Sequence, residues 1–284
     1  MSVSGMTPAE DELSRAVALI RQRLRQRLPH AAGDLSVPEG LALRTDGLPD
    51  WWSAAGNRLF APPGIEIVLR SHPGEEPPRG AVVLVGAGGT PPAEIMLAGE
   101  APAVLVGSGC SLLNGYLYSG DRSTIVLAGD LASINGSHLN ARNGGLIAIG
   151  RDNLWASHIT VQTDDMHAIF DRATKERINR YGSVVEIGEH VWLGLDALIS
   201  PGARIGPGCV IGARSVVTRA IPPNCVAVGA PARVVRRNIA WSYHDVAPEN
   251  HAAGRERAGP VRSLLRRVAR HSRVRAVLAA LRRN

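Results

Sequence analysis

Aromatic side chains are scarce: Phe, Trp and Tyr together make up 4% of 284 residues, too few for a core built from large rings. The 31 Gly and 19 Pro suit a chain that turns often and tightly instead. Cysteine is nearly absent. Cys110, Cys209 and Cys225 are an odd number without metal-ligand spacing, which argues against a disulfide framework and implies reduced thiols. No apolar run approaches the roughly 18 residues of a membrane-spanning helix, and the start has no basic segment followed by an apolar core, so a secretory leader is not expected. The expected setting is soluble and cytoplasmic. Lysine is missing except for Lys175, the other 31 of 32 basic residues being arginine. The net charge of +7 is unevenly placed: residues 251–284 hold ten Arg and one Glu, +9, which leaves −2 for residues 1–250. The body thus lacks the broad basic surface of a nucleic-acid binder, and no such partner is expected.

What is present is a repeat. From Ile187 to Pro222 the chain reads in sixes as IGEHVW, LGLDAL, ISPGAR, IGPGCV, IGARSV and VTRAIP, opened by Ile187, Leu193, Ile199, Ile205, Ile211 and Val217. Val191, Ala197, Ala203, Cys209 and Ser215 stand four places after successive openers. A period of six matches neither the 3.6 of a helix nor the alternation of a strand. It predicts a parallel β-helix, with three hexads to a triangular coil and coils stacked about 4.8 Å apart.

These hexads, the VWLG at Val191–Gly194 and the closing run SVVTRAIPPNCVAVGAPARVVR at Ser215–Arg236 resemble the hexapeptide-repeat acyltransferases. The resemblance implies a left-handed β-helix, a homotrimer and acetyl-CoA as acyl donor. The hand comes from the resemblance alone, because ordinary parallel crossovers are right-handed and periodicity does not report it.

Taken in order, the chain opens with Thr7-Pro8-Ala9-Glu10, a capping box with Pro at the first helical position. Leu13, Val17, Ile20, Leu24 and Leu28 then share one face until Pro29, a stripe expected to pack on the solenoid or on a neighbouring subunit. Residues 29–58 carry no assignable pattern. From Val82 a looser repeat appears: VVLVG, AVLVG, IVLAG and LIAIG end at Gly86, Gly107, Gly129 and Gly150, at intervals of 21, 22 and 21 residues, which predicts slightly longer coils beginning near residue 60. The next, VVEIG, ends at Gly188, 38 residues on, so one coil plus a loop must fit between, and the most polar part is 163–182. A long polar loop at one place in a regular stack is where function is expected. The predicted organisation is mainly β: residues 1–58 an amphipathic helix and connecting segment, 59–236 the left-handed β-helix with protruding loop 163–182, and 237–284 a linker and basic helical tail. Three readings of the tail stay open: contact of residues 260–284 with an anionic membrane, packing between subunits, or no fixed structure.

Acyl transfer from a thioester to a hydroxyl needs a base, donors for the oxyanion and a groove for the carrier. Histidine, mostly neutral near pH 7, is the natural base. His167 lies in the loop between Asp165 and Asp171, either of which could hold its ring. The run QTDDMHAIFDRATKERIN is similar to the SDGH-type loop of the branch that O-acetylates surface polysaccharides, which implies His167 as the base, although Met166 stands where a small residue is usual. Of the other histidines, His190 is expected to project into solvent and His158 to support the site wall. His138, His158 and His167, spaced by 20 and 9 residues, lack the close pair of the zinc-holding branch, so no metal is expected. For the donor, the resemblance implies Trp192 against the acyl and pantetheine end, Gly194 near the thioester, Ala213, Thr218 and Arg219 along the pantetheine and adenine groove, and Arg236 near the phosphates. Leu195 replaces a frequent serine. The implied function is transfer of an acetyl group from acetyl-CoA to a sugar hydroxyl of a surface polysaccharide or its lipid-linked precursor, in the cytoplasm or on the inner membrane face. The alternatives are acetylation of a small hydroxyl or amine substrate and a non-catalytic scaffold.

Overall fold

The computed structural model describes residues 7–33 and 35–245; the basic tail, with its three readings, lies outside them. The chain winds repeatedly past three parallel sheets in a fixed order. Sheet 1 has nine strands, from Ala42–Leu43 to Ala220–Ile221, and sheets 2 and 3 have seven each. Sheet 2 runs from Ser111–Leu112 to Arg233–Arg237 and sheet 3 from Leu69–Ser71 to Val216–Val217. Only the first pair of sheet 1 and the last pair of sheet 2 are antiparallel.

Three hexads do make one coil. Ile187 stands over Ile205 on sheet 1, Leu193 over Ile211 on sheet 2 and Ile199 over Val217 on sheet 3, and all six are buried, as are the small residues four places on. The ladder on sheet 1 continues unbroken through Leu127, Ile149, Ile187, Ile205 and Ile221. Because one aliphatic stacks on the next, a lost methyl leaves a void that neighbours on a rigid ladder fill poorly. Ile199→Val is expected to cost about 1 kcal/mol, measured as a lowered urea midpoint at unchanged slope.

The glycines that mark the longer coils have a packing cause. Gly150 has ordinary φ, but a Cβ there would lie 2.7 Å from the Glu189 amide nitrogen of the next coil, and one on Gly188 would lie 2.7 Å from the nitrogen of Pro207. Among non-glycine residues positive φ falls on corner positions, including Asp152, His158, His190, Asp196 and Asn224, the residue types that tolerate it best.

Helix α1, Pro8–Arg27, begins with the capping box: Glu10 N–H donates to Thr7 Oγ1 and Thr7 N–H to Glu10 Oε2. It buries Val17, Ile20 and Leu24, and then Leu28 at its C-cap, against the outward side of sheet 1, on Leu84, Leu105, Val126 and Ala148. The stripe is thus satisfied within the chain, and Arg23 and Arg27 fix it by donating to carbonyls of Ala101, Ser123, Gly144 and Gly182. Pro29 starts a second short helix, α2, Pro29–Gly33, and α3, Asp50–Ala54, follows. On α3 the buried Trp52 joins the solenoid core. No described helix is long and apolar enough to cross a membrane.

Candidate active site

Between the sheet 3 strand Thr160–Gln162 and the sheet 1 strand Val184–Ile187 the chain leaves the coil. Both ends of this excursion are anchored. Thr163 and Asp164 at its start and Gly182 and Ser183 at its end are buried. One Asp164 carboxylate oxygen accepts from Asn143 Nδ2 at 2.9 Å and from the Gly182 N–H at 3.0 Å, and the other from the Met166 N–H at 2.9 Å. Burial alone would raise the pKa of Asp164, but these donors and the Arg177 charge 3.5 Å away outweigh it and leave the pKa lowered. Further out, an antiparallel bridge joins Phe170 and Arg177, and the Ile178 N–H donates to the Ile169 carbonyl.

His167 is exposed on this loop. Its backbone is pinned: its N–H donates to the Asp165 carbonyl at 2.8 Å, and its own carbonyl accepts from Asn179 Nδ2 at 2.8 Å. Asn179 also donates to Asp165 Oδ2 and accepts from the Ile169 N–H. Asp171 closes the turn through the N–H groups of Ala173 and Thr174, which lower its pKa, Thr174 most. Among the described residues no hydrogen bond joins the carboxylate of Asp165 or Asp171 to the His167 ring. Asn179 and Asp164 were missed from sequence. The only signal for Asp164 was its place at the first residue pair of the loop.

The donor-groove candidates fall into two groups. Trp192, Val210, Val226 and Arg236 occupy one register row across sheet 2, with Trp192 40% exposed and Arg236 exposed. Gly194 turns the corner from sheet 2 to sheet 3 directly over Ala213; a Cβ on it would lie 2.5 Å from the Ala213 nitrogen. Thr218 and Arg219 instead stand at the corner from sheet 3 to sheet 1, between Val216–Val217 and Ala220–Ile221. The His167 loop leaves from that same corner two coils earlier, and its Arg180 guanidinium lies against Gly202 of the coil between. One chain thus groups His167 with Thr218 and Arg219, and Trp192 with Gly194, Ala213 and Arg236, with sheet 3 separating the two groups.

The bacterial transferase hexapeptide (six repeats) family model matches residues 185–219, the stretch that carries Trp192, Gly194, Ala213, Thr218 and Arg219. Residues 185–219 are hexapeptide repeats. The galactoside O-acetyltransferase of Escherichia coli strain K12 is 40% identical over 90 residues, 32% of this chain and 43% of that protein. The polysialic acid O-acetyltransferase of Escherichia coli O1:K1 is 39% identical over 101 residues, 36% of this chain and 33% of that one. The chain therefore spans less than half the length of these curated relatives. Among solved structures, the polysialic acid O-acetyltransferase OatWY superposes with a TM-score of 0.52 at 22% identity, over 66% of this chain and 93% of that one, a likeness of fold.

The remaining histidines of this chain correct one expectation. His190 does not project into solvent. Its Nδ1 lies 2.7 Å from Asp152 Oδ2, its Nε2 lies 3.2 Å from the Trp241 carbonyl, and the Trp241 ring stacks on it at 4.0 Å. Its left-handed corner conformation swings the ring along the edge instead of away from it. His158, at the next corner, is exposed and lies 3.3 Å from Asp196, on the opposite side of sheet 3 from the His167 loop. Among the described residues no three His, Cys, Asp or Glu side chains gather as a metal set. Burial pushes the Cys110 thiol up to about 12, so it is a packing residue, not a nucleophile.

Proposed function

We propose that this chain is an acyl-CoA-dependent O-acyltransferase, a left-handed β-helix working as a trimer, which moves an acetyl group from acetyl-CoA to a sugar hydroxyl of a surface polysaccharide or its lipid-linked precursor. The observation that carries it is the anchored loop presenting His167 to solvent on a hexapeptide-repeat solenoid whose matched relatives are named O-acetyltransferases. His167 takes the acceptor hydroxyl proton as the oxygen attacks the thioester carbonyl; the tetrahedral intermediate collapses, the carbon–sulfur bond breaks, and the imidazolium returns the proton to the leaving thiolate. Asn179 serves by holding the His167 backbone. The row from Trp192 to Arg236 supports donor binding: an aromatic face at one end, Val210 and Val226 between, and a cation at the other suit an extended arm that ends in phosphates.

The separation of His167 from that row supports assembly, since a second copy can bring a donor row to a loop that its own chain keeps apart. So does the loop's apolar surface: Met166, Ile169, Phe170, Ile178 and Tyr181 are each more than half exposed, and such patches mark contact sites.

The test is acetyl-CoA binding by calorimetry with thiol release on adding a polysaccharide acceptor, beside sedimentation equilibrium. The expected outcome is one acetyl-CoA per chain and a mass three times the 30.1 kDa of the chain. Absence of acetyl-CoA binding overturns the proposal, and a monomer that turns over acetyl-CoA overturns the shared site.

A further inference from the structure

After the last described strand, Arg233–Arg237, the chain folds back over the solenoid. The Ile239 N–H donates to the Asn224 carbonyl at 3.1 Å, and residues 238–245 then run up the corner between sheets 1 and 2. Trp241 is held there on three sides. Its Nε1–H donates to the His190 carbonyl at 2.9 Å, its own carbonyl faces His190 Nε2 at 3.2 Å, and its ring lies nearly parallel to the imidazole, at 12° and 4.0 Å. His190 is fixed in turn: Asp152 Oδ2 faces its other ring nitrogen at 2.7 Å. Asp152 is itself braced, as Tyr243 Oη donates to its backbone carbonyl at 2.9 Å and to Oδ1 at 3.0 Å. Burial first, and then the Asp152 carboxylate, push the Tyr243 phenol up, so it stays a donor. Each member removes the freedom of the next.

The free end of this chain of contacts is Trp192. It sits on a strand of two residues, 40% exposed, where an indole has several rotamers open to it. Its neighbour is Trp241, with ring centroids 5.9 Å apart and planes tilted by 47°.

We infer that residues 238–245 are a fixed strap whose Trp241 sets the indole of Trp192, so that Trp241 is a positioning residue for the acyl donor. The inference rests on the donor reading of Trp192. Ordering a free side chain during binding weakens affinity, and a side chain already ordered avoids that loss. The strap therefore acts on donor binding, not on the proton transfer made by His167.

The test compares Trp241→Ala, Trp241→Phe, His190→Asn and Trp192→Ala. His190→Asn keeps a residue that tolerates the left-handed corner while removing the ring on which Trp241 stacks. Trp241→Ala and His190→Asn are each expected to raise the KM for acetyl-CoA roughly three- to tenfold, with kcat within about a factor of two, and Trp241→Phe, which can still stack, to recover most of the loss. A second readout needs no ligand. In protein labelled with fluorotryptophan, the fluorine resonance of Trp192, assigned by its loss in Trp192→Ala, is expected to be single and sharp in the wild type and to move toward the solvent-exposed position in Trp241→Ala. An unmoved resonance overturns the inference. So does a KM that rises in Trp192→Ala but not in Trp241→Ala, a result that leaves the donor reading standing. If the wild type fails to bind acetyl-CoA, the donor reading falls, and the fluorine spectra still decide whether Trp241 fixes Trp192.

Discussion

His167→Ala is expected to lower thiol release from acetyl-CoA in the presence of acceptor by about 10² to 10⁴, the usual contribution of a positioned general base, while leaving acetyl-CoA binding unchanged. The two halves of this expectation have separate structural causes. The ring of His167 makes no hydrogen bond within the chain among the described residues, and the loop's path is carried by backbone and by Asn179 and Asp164. Truncating the ring therefore removes a proton acceptor without removing a support. A general base acts on the acceptor hydroxyl and not on the carrier, so the ground-state affinity for acetyl-CoA has no reason to move. In kinetic terms kcat and kcat/KM fall together, the mark of an interaction made only in the transition state. Unchanged turnover in His167→Ala would remove the base from this residue. Turnover and binding lost together would mean that the loop had collapsed, which the thermal transition of the same sample would report.

The legible part of this protein was the part whose physics repeats. Ile187, Leu193 and Ile199 open hexads because each must stack on its equivalent one coil away, and that demand leaves its trace every sixth residue. The longer coils were readable from Gly150 and Gly188 as punctuation, although the reason, a neighbouring backbone too close for a Cβ, has no sequence signature. The stripe on α1 was visible, and its destination lay open between the solenoid and a neighbouring subunit, since either apolar face would have served. The loop was found by subtraction, yet its support was not, because Asp164 acts through single contacts to Asn143, Gly182 and Met166 that leave no period behind. The same holds at the other edge. His190 read as a surface residue because its partners, Asp152 and Trp241, are 38 and 51 positions away, and only the stacking of coils makes them neighbours. Residues whose roles come from repetition announce themselves, whereas residues whose roles come from one contact across coils do not.

Asp164→Ala is expected to free the loop, costing about 3 kcal/mol in the equilibrium between its docked and open forms, or roughly a hundredfold in that ratio. The carboxylate is buried and meets three donors, Asn143 Nδ2, the Gly182 N–H and the Met166 N–H; an alanine leaves all three unpaired in a site that little water reaches, at about 1–3 kcal/mol for each unsatisfied group. It also leaves Arg177 without its anion. Because Gly182 closes the loop and Met166 precedes His167, the loss shifts the base as well as the loop ends, and activity should fall with loop order. Trypsin provides the measurement, since Arg172, Lys175, Arg177 and Arg180 lie within the excursion: cleavage there should speed up by about the same hundredfold while the solenoid stays intact. The pH dependence has a definite sign. The folded pKa of Asp164 lies below its ordinary value, so its contribution is fully present above about pH 4, the range of an unperturbed carboxylate, and is lost as pH falls through the lowered folded value. Wild-type loop protection, followed by hydrogen exchange of the Gly182 and Met166 amides, should therefore hold from neutral pH down to about 4 and erode below it. Asp164→Asn should show weak protection at neutral pH and lack this acid step, because its amide group presents donors to donors. Equal exchange in the wild type and Asp164→Asn at neutral pH would show that the loop is held by its hairpin alone.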